Sequence, residues 1–427
     1  MADTAPTVTD QLLKFARATP PAEAQAMMRL SLLDWAACGI AGAREEDFSD
    51  FIRAGRGQGA CTVLGGHSAG PAAAALINGT LAHALDFDDT HFAHIGHPSV
   101  AVVPAVLALA QDVGASLDDV VEAATLGVEA SILVGLWLGR DHYQIGYHQT
   151  ATAGAFGATL ATARLLGLDK AQMRHALGLC ASMASGVKAQ FGTMAKPLNA
   201  GLAARTGVEA TLWAQAGMTA ADDGLAGPLG FGETHHGAAV AVTPGKAPWH
   251  IGSISHKFHA CCHGLHAMLE ALRDADLDLS RVETIRIRTH PRWMSVCNIE
   301  APTTGLEAKF SYAQTAAMAL LGHDTGAIAS FTDEITQDPE VVALRAKIRI
   351  NDDPRLSETQ AEVFVSMEGR EMRRFRHDLM APMTMEARAE KLRSKARGLL
   401  GEVRAEDLHK AVQGDSLSAF AAILSEP

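Results

Sequence analysis

Residues 81–98 read LAHALDFDDTHFAHIGHP, and they place three aspartates, a threonine and three histidines within the twelve positions 86–97. The segments on either side, 72–85 and 100–110, are almost wholly apolar. Because unpaired polar groups are costly inside a protein, a polar cluster between two buried helices predicts a pocket where other segments supply partners. The alternative is a solvated acidic loop that joins two helices.

The bulk composition predicts a globular protein with two domains. The chain has 427 residues, of which 48% are hydrophobic and 20% charged, and this length exceeds the size at which a single core stops growing. It contains no uninterrupted run of about 18 apolar residues, so we expect no membrane span. The first ten residues, MADTAPTVTD, lack the pattern of a signal peptide. Six dispersed cysteines form no disulfide framework or paired zinc motif, which favours a cytoplasmic location.

The charge distribution argues against nucleic acid as a partner. The net charge is −12 and the basic residues form no stripe, although a few local cations would suffice to bind a small anionic substrate. Many of the 19 histidines lie in three short stretches, 83–97, 142–148 and 256–266. Histidine changes its charge near neutral pH, so these stretches are candidates for acid–base chemistry.

The segment from residue 71 to 217 has the pattern of successive apolar, alanine-rich helices. Good helix-start residues, Ser116 and Asp169, and glycines at the ends set their limits. The expected helices cover 71–86, 99–113, 117–139, 149–166, 170–185 and 197–216. No glycine-rich nucleotide-binding motif occurs, and we expect 218–255 to be irregular.

The composition changes after His266. Three segments alternate apolar and polar residues as half-buried strands do, at 282–289, 345–352 and 361–367, and helices are expected near 308–321 and 337–343. The predicted fold class is therefore mainly α. It has a large all-helical domain, 1–266, completed by C-terminal helices at 386–427, and a smaller α+β lid domain at 267–385.

Two lysines are candidates for binding an anion. Lys188 and Lys196 flank the loop KAQFGTMAK between two apolar helices, and Pro197 is a favourable first helical residue. A lysine at a helix N-terminus is unfavourable for the helix dipole, so its presence modestly favours a role in binding a carboxylate or phosphate. The alternative is a lysine that simply extends into solvent.

Histidines near predicted helix starts supply the other groups that carbon–hydrogen chemistry needs. His148 and His266 both lie at such positions. Proton transfer next to a carboxylate requires a base, an acid and fixed cations that stabilise an enolate-like anion. This inventory is present if the segments meet in one cleft.

Two rival interpretations use the same residues. A metal could bind three histidines of the 86–97 cluster with Asp88 or Asp89, but Gly96 and Pro98 disfavour the regular helix that would align His91, His94 and His97. Cys261 and Cys262, with His259 and His263, form an equally weak metal pattern. The sequence DFDD at 86–89 resembles the motif of terpene cyclases, yet a chain with 5% aromatic residues lacks the rings that stabilise carbocations.

The order of the motifs closely resembles that of the MmgE/PrpD family over nearly the whole chain. The motifs are NGTLAHALDFDDTH, HPS, GYHQTATAGAFGATLATARLLGL, GTMAKPLNAG, KFHACCHGLHA and EAKFSYAQTAAMALL. The resemblance implies a helical domain with an α+β lid, a homodimer and no organic cofactor, and we expect no bound metal. The active-site positions that it implies are Asp86, Thr90, His97, His148, Lys196 and His266. Further candidates for substrate contact are Lys188, Lys257, Tyr312 and Gln314.

Departures from the family's pattern limit the identification of a substrate. Many relatives have Tyr-Pro in place of His259-Ala260, arginine in place of His263 and histidine in place of Asn199. The expected function is a lyase, a dehydratase or decarboxylase, acting on a small di- or tricarboxylate. An epimerase of an iminodisuccinate-like dicarboxylate is the alternative within the family, and a non-catalytic interaction protein is the alternative outside enzymes.

Overall fold

Two compact units make up the part of the chain that the computed structural model describes, residues 6–55 and 57–426. The larger unit runs to His256 and resumes at Leu392, and the smaller unit is Lys257–Lys391. Composition had suggested divisions at 266 and 386, whereas residues 257–266 and the first two turns of the final long helix belong to the smaller unit. Residues 1–5, 56 and 427 of the expected helical domain lie outside the described residues.

The larger unit is almost entirely helical, in agreement with the predicted fold class. Short strands β1 (Cys61–Val63) and β2 (His67–Ala69) form an antiparallel hairpin. The helices are α1 (Val8–Phe15), α2 (Ala22–Gly42), α3 (Ser49–Gly55), α4 (Pro71–His83), α5 (Ser99–Val113), α6 (Leu117–Ile145), α7 (Gln149–Leu165), α8 (Lys170–Met183), α9 (Ala195–Gln215) and α10 (Phe231–Thr234). Helices α17 (Glu402–Gln413) and α18 (Leu417–Ser425) complete it, after α16 (Met385–Leu400), which starts in the smaller unit.

All six helices that the sequence predicted between residues 71 and 217 are present, most with ends within about three residues of the prediction. The exception is α6, which continues to Ile145 although its predicted end was Gly139. That glycine has φ 77° and ψ −178°, so two helices meet there across a kink. Segment 218–255 is mostly irregular, as expected, and Glu129 holds its end by accepting hydrogen bonds from the backbone N–H of His250 and Ile251 at 3.0 and 2.9 Å.

Helix α6 would be long and apolar enough to cross a membrane if length and composition were the only criteria. Its most apolar window of 18 residues is 89% buried inside the fold. The helix packs mainly along α7 and also against α5. Its apolar surface is therefore used as the core of a helical unit.

The smaller unit is α+β. Its sheet has the order β4 (Ile348–Asp352), β3 (Val282–Thr289), β5 (Gln360–Met367) and β6 (Arg373–Asp378), in which only the β3–β4 pair is parallel. Its helices are α11 (His266–Leu272), α12 (Arg292–Val296), α13 (Gly305–Ala308), α14 (Tyr312–Leu320) and α15 (Pro339–Arg345). The sequence predicted three of these strands and missed β6, RRFRHD, because charges occupy both of its faces at the sheet edge.

Close approach of α4 and α9 brings the polar loop after α4 beside the start of α9. A Cβ on Gly201 would lie 2.2 Å from the carbonyl oxygen of Leu76 and 2.3 Å from Thr80 Oγ1. The two backbones can therefore touch only because this position lacks a side chain.

We expect Gly201→Ala to lower the free energy of unfolding by about 1–3 kcal/mol, because the added methyl group overpacks the α4–α9 contact. Gly398→Ala in α16 is the matched control, since a Cβ there meets nothing within 4 Å among the described residues. That control should raise stability by up to about 1 kcal/mol through helix propensity. Urea unfolding monitored by circular dichroism measures both changes, and a Gly201→Ala protein as stable as wild type would contradict the packing argument.

Candidate active site

The loop between α4 and α5 folds back on itself and forms no further helix. Asp86 adopts a left-handed conformation with φ 50°, which an aspartate tolerates better than most residues. Backbone hydrogen bonds join Thr90 to Ser255 in both directions, at 2.9 and 2.8 Å, and His91 N–H donates to the carbonyl of Gly96. The expectation that His91, His94 and His97 would not share a regular helical face is confirmed.

Asp88 is a buried carboxylate shared by two histidines. It lies 2.9 Å from His83 Nδ1 and 3.0 Å from His97 Nδ1, and the two rings meet edge to face at 4.5 Å. Burial alone would raise the pKa of Asp88, but His83 and His97 together hold that pKa well below its ordinary value. The carboxylate therefore remains charged and fixes both Nδ1 atoms as the nitrogens that face it.

Asp86 forms the exposed edge of the same cluster. Its side chain is 41% exposed, and it lies 2.6 Å from the ammonium of Lys196 and 3.3 Å from His97 Nε2. Lys196 is in the first turn of α9, where a cation is unfavourable for the helix dipole. The ion pair with Asp86 compensates for this unfavourable position of Lys196, which the sequence alone did not explain.

His148 lies beside this group at the start of α7. Its ring stacks on that of His83 at 5.9 Å, and Phe191 meets it edge to face at 5.0 Å. Burial first, then the charges of Lys196 and the neighbouring histidines, lower the pKa of His148 far below its ordinary value. The side-chain amide of Asn199 donates to His148 Nδ1 at 3.2 Å, so the neutral ring carries its proton on Nε2.

The structure thus brings together Asp86, His97, His148 and Lys196 of the predicted set, all within the larger unit. Two other predicted residues of this unit have different contacts. The Lys188 ammonium donates to the Tyr143 carbonyl at 3.0 Å and lies over the Tyr143 ring. The Thr90 hydroxyl donates to the carbonyl of Ser255 at 3.2 Å.

The remaining predicted residues belong to the smaller unit. His266 is buried, its Nε2–H donates to the Cys261 carbonyl at 3.3 Å, and burial together with His263 and His259 lowers its pKa well below the ordinary value. Lys257 is also buried.

The last two candidates, Tyr312 and Gln314, are fully buried in α14. The Tyr312 hydroxyl donates to the Gly264 carbonyl at 2.6 Å, and the Gln314 side chain binds Ile335 and Arg345. Both side chains therefore have partners within the smaller unit, and their contact with a substrate stays a prediction.

The sequence did not predict the roles of three members of the cluster: His83 and Asn199 were not site candidates, and Asp88 was considered only as a possible metal ligand. His83 ends α4 and lies five residues before Asp88, a separation that no regular periodicity marks as a contact. Asn199 stood out in the sequence only as a departure from relatives. The place of Asp88 between two apolar helices indicated that this carboxylate needs a partner, but not which residue supplies it.

The same cluster contains the groups of a possible metal site. His83, Asp86, Asp88 and His97 each offer a ligand atom, and these atoms lie within 4.8 Å of one another. The ammonium of Lys196 already supplies a cation to Asp86, and both Nδ1 atoms face Asp88. A metal would have to displace these contacts. His94, by contrast, lies near Ser131 at 3.1 Å, and no comparable cluster forms around Cys261 and Cys262 in the described part of the chain.

Comparisons with known proteins agree with the two-part architecture. A family model described as the MmgE/PrpD N-terminal domain matches residues 9–242, and one described as the MmgE/PrpD C-terminal domain matches 259–415. The chain is 29% identical to a cis-aconitate decarboxylase of Aspergillus terreus over 370 residues, 77% of this chain and 74% of the relative. It is 32% identical to a cis-aconitate decarboxylase-like protein of Aspergillus oryzae over 59% of this chain and 57% of the relative. Identity to human cis-aconitate decarboxylase is 32%, over 42% of this chain and 38% of the relative.

The buried histidines predict a loss of stability in mild acid. Burial lowers the pKa of His83, His91 and His142 to about 4, so between pH 6.5 and 4 the unfolded chain binds more protons than the folded one. Stability from these groups is present above their unfolded pKa and is lost as pH falls. His91→Gln should reduce the loss between pH 7 and pH 5 by about 2 kcal/mol.

Urea midpoints of wild type and His91→Gln at the two pH values measure this difference. His323→Gln, which alters an exposed histidine, is the matched control and should leave the pH dependence of wild type unchanged. Equal losses in wild type and His91→Gln would show that the buried ring does not contribute.

Proposed function

The chain belongs to the MmgE/PrpD family, and on that premise we propose that it is a lyase that removes carbon dioxide or water from a small di- or tricarboxylate. The names of its relatives make cis-aconitate the first substrate to test. The observation that carries the proposal is the Lys196–Asp86 pair with His97 Nε2 beside it. A cation, an exposed carboxylate and a proton-exchanging nitrogen meet there at one edge of a buried histidine cluster.

Substrate binding in this proposal uses the charge of Lys196. A substrate carboxylate would exchange with Asp86 as the partner of the ammonium, which costs less than creating a new buried ion pair because the lysine is already held in place. The same ammonium would then stabilise the negative charge that develops next to the bound carboxylate.

His97 and His148 are suited to opposite roles in proton transfer. Because its Nδ1 lies 3.0 Å from the Asp88 carboxylate, His97 presents Nε2 as the atom that takes up a proton from carbon. With Nδ1 occupied by Asn199, neutral His148 presents Nε2–H as a donor. In dehydration His97 removes the proton alpha to the carboxylate, and His148 protonates the departing hydroxyl.

In decarboxylation the electron pair of the broken carbon–carbon bond stays on the carbon, which then takes a proton from His148. His266, in the smaller unit, stays a predicted acid–base residue. Its Nδ1 is left to accept a proton, because Nε2–H donates to the Cys261 carbonyl.

An epimerase is the second candidate. It needs one nitrogen that removes a proton from one face of a carbon and another that returns a proton to the other face. In the proposal His97 Nε2, without a proton, and His148 Nε2, with one, suit these two steps.

We also propose a homodimer, a cytoplasmic location and the absence of a cofactor. The cysteines at 38, 61, 180, 261, 262 and 297 are all free thiols, which supports a reducing compartment. Carboxylate-stabilised carbanions need no organic electron sink.

The reaction itself is tested by incubating the protein in deuterated water with cis-aconitate, hydroxytricarboxylates and amino dicarboxylates. We expect one substrate to lose carbon dioxide or water, with solvent deuterium incorporated where decarboxylation leaves a new carbon–hydrogen bond. Deuterium at an alpha carbon without net product would instead indicate the epimerase, and no exchange with any compound would favour the non-catalytic alternative. Inactivation by a chelator, reversed by added zinc, would support a metal site.

Lys196→Ala should weaken substrate binding by on the order of 2 kcal/mol or more, because the substrate carboxylate loses its ammonium partner. This corresponds to an increase in KM of roughly thirtyfold. Lys170→Ala, at an exposed position, is the matched control and should leave KM unchanged. Steady-state kinetics of the two variants measure the difference, and an unchanged KM in Lys196→Ala would remove the lysine from the binding site.

A further inference from the structure

We propose that Lys395 of α16 is a positioning residue that fixes the Asp86–Asp88 segment of the active site, an inference that rests on the proposed function. Its ammonium lies 2.5 Å from the carbonyl oxygen of Phe87 and 2.5 Å from Asp34 Oδ1. It also lies 3.9 Å from the centre of the Phe87 ring. A lysine far along the chain therefore binds the residue between the two aspartates.

The contact of Lys395 with Asp34 and Phe87 is buried. The side chains of Lys395 and Asp34 are 2% and 1% exposed, and Phe87 is 1% exposed. A buried ion pair is weak evidence of stabilisation, because apolar residues of similar volume often fold as well or better. Packing alone therefore does not explain why charges occupy this position.

The backbone next to the contact supplies a reason. Asp86 is in the left-handed conformation, and residues in sparsely populated conformations persist only where their surroundings hold them. The bond from Lys395 to the Phe87 carbonyl orients the peptide unit that joins Phe87 to Asp88. It thereby helps to determine both where Asp86 meets Lys196 and where Asp88 meets His83 and His97.

Charge around the loop gives Lys395 a second effect on the same residues. Asp34, Asp88 and Asp89 are all buried close together. Burial alone would lower the pKa of Lys395, but Asp34 first and then other neighbours, Asp88 among them, raise that pKa, so the ammonium stays charged. Burial raises the pKa of Asp89 to about 7, and its carboxyl accepts a hydrogen bond from the Ser99 hydroxyl at 2.6 Å. Lys395 therefore offsets the carboxylate charge behind the two histidines.

The test replaces the ion pair without leaving an unpaired charge, in the double variant Asp34→Leu/Lys395→Met. We expect kcat to fall at least tenfold with KM changed less than threefold, because small displacements of catalytic groups reduce the rate more than binding. The melting temperature should stay within a few degrees of wild type. The matched control, Arg393→Gln/Glu406→Gln, removes a partly exposed ion pair between α16 and α17 and should retain the wild-type kcat.

A second measurement needs no substrate. Nitrogen chemical shifts of isotopically labelled histidines should change for His83 and His97 in the double variant and stay unchanged in the control. Changed shifts in a protein that proves inactive would sustain the positioning role and reject the proposed function. Unchanged shifts together with an unchanged kcat would overturn the role of Lys395 and leave the proposed function standing.

Conservative replacement separates positioning from folding. Lys395→Arg keeps the charge and a donor for the Phe87 carbonyl, and should recover at least a third of the wild-type kcat, whereas Lys395→Gln keeps only the donor and should recover less. If the double variant does not fold, the kcat values of these single variants show whether Lys395 is a positioning residue. Equal kcat values for Lys395→Arg, Lys395→Gln and wild type would refute the proposal.

Discussion

The carboxylate of Asp88, buried between His83 and His97, is the interaction on which the active-site cluster depends. It sets which nitrogen of each ring faces inward, and so leaves His97 Nε2 to face Asp86 and Lys196. A carboxylate held between two imidazole rings cannot rotate freely. Buried contacts behind the surface at which a substrate would bind therefore determine the geometry of the proposed proton transfer.

Burial then sets the charge state of the surrounding groups. Helices α4, α7 and α9 exclude water from His83 and His148, and this desolvation keeps both rings neutral at physiological pH. The positive charges that remain belong to lysines with carboxylate partners, Lys196 on the exposed edge and Lys395 behind the loop. The Lys196 side chain is 15% exposed and its carboxylate partner 41% exposed, whereas Lys395 and Asp34 are enclosed.

Family membership and this geometry contribute different parts of the functional argument. The family relates the chain to proteins named cis-aconitate decarboxylases, whereas at 29% identity the substrate of this chain stays a proposal. Asn199 illustrates the difference. Its amide fixes His148 as a donor at Nε2, which a histidine at the same position need not do. This departure from the common pattern therefore determines how one proton of His148 is held.

Local sequence determined the helices of residues 71–217 and three strands of the smaller unit, because apolar periodicity and capping residues act over a few neighbouring positions. It also indicated Asp86, His97, His148 and Lys196 as chemically unusual, since polar residues in apolar surroundings need partners. Tertiary structure alone decided the partners themselves. Asp88 with His83, Asn199 with His148 and Lys395 with Phe87 join positions whose separation in sequence carries no period. Asp86 and Lys196 meet where Gly79 and Gly201 let α4 and α9 approach. Tertiary structure also supplied Tyr312 and Gln314 with partners in their own unit, which sequence spacing does not reveal.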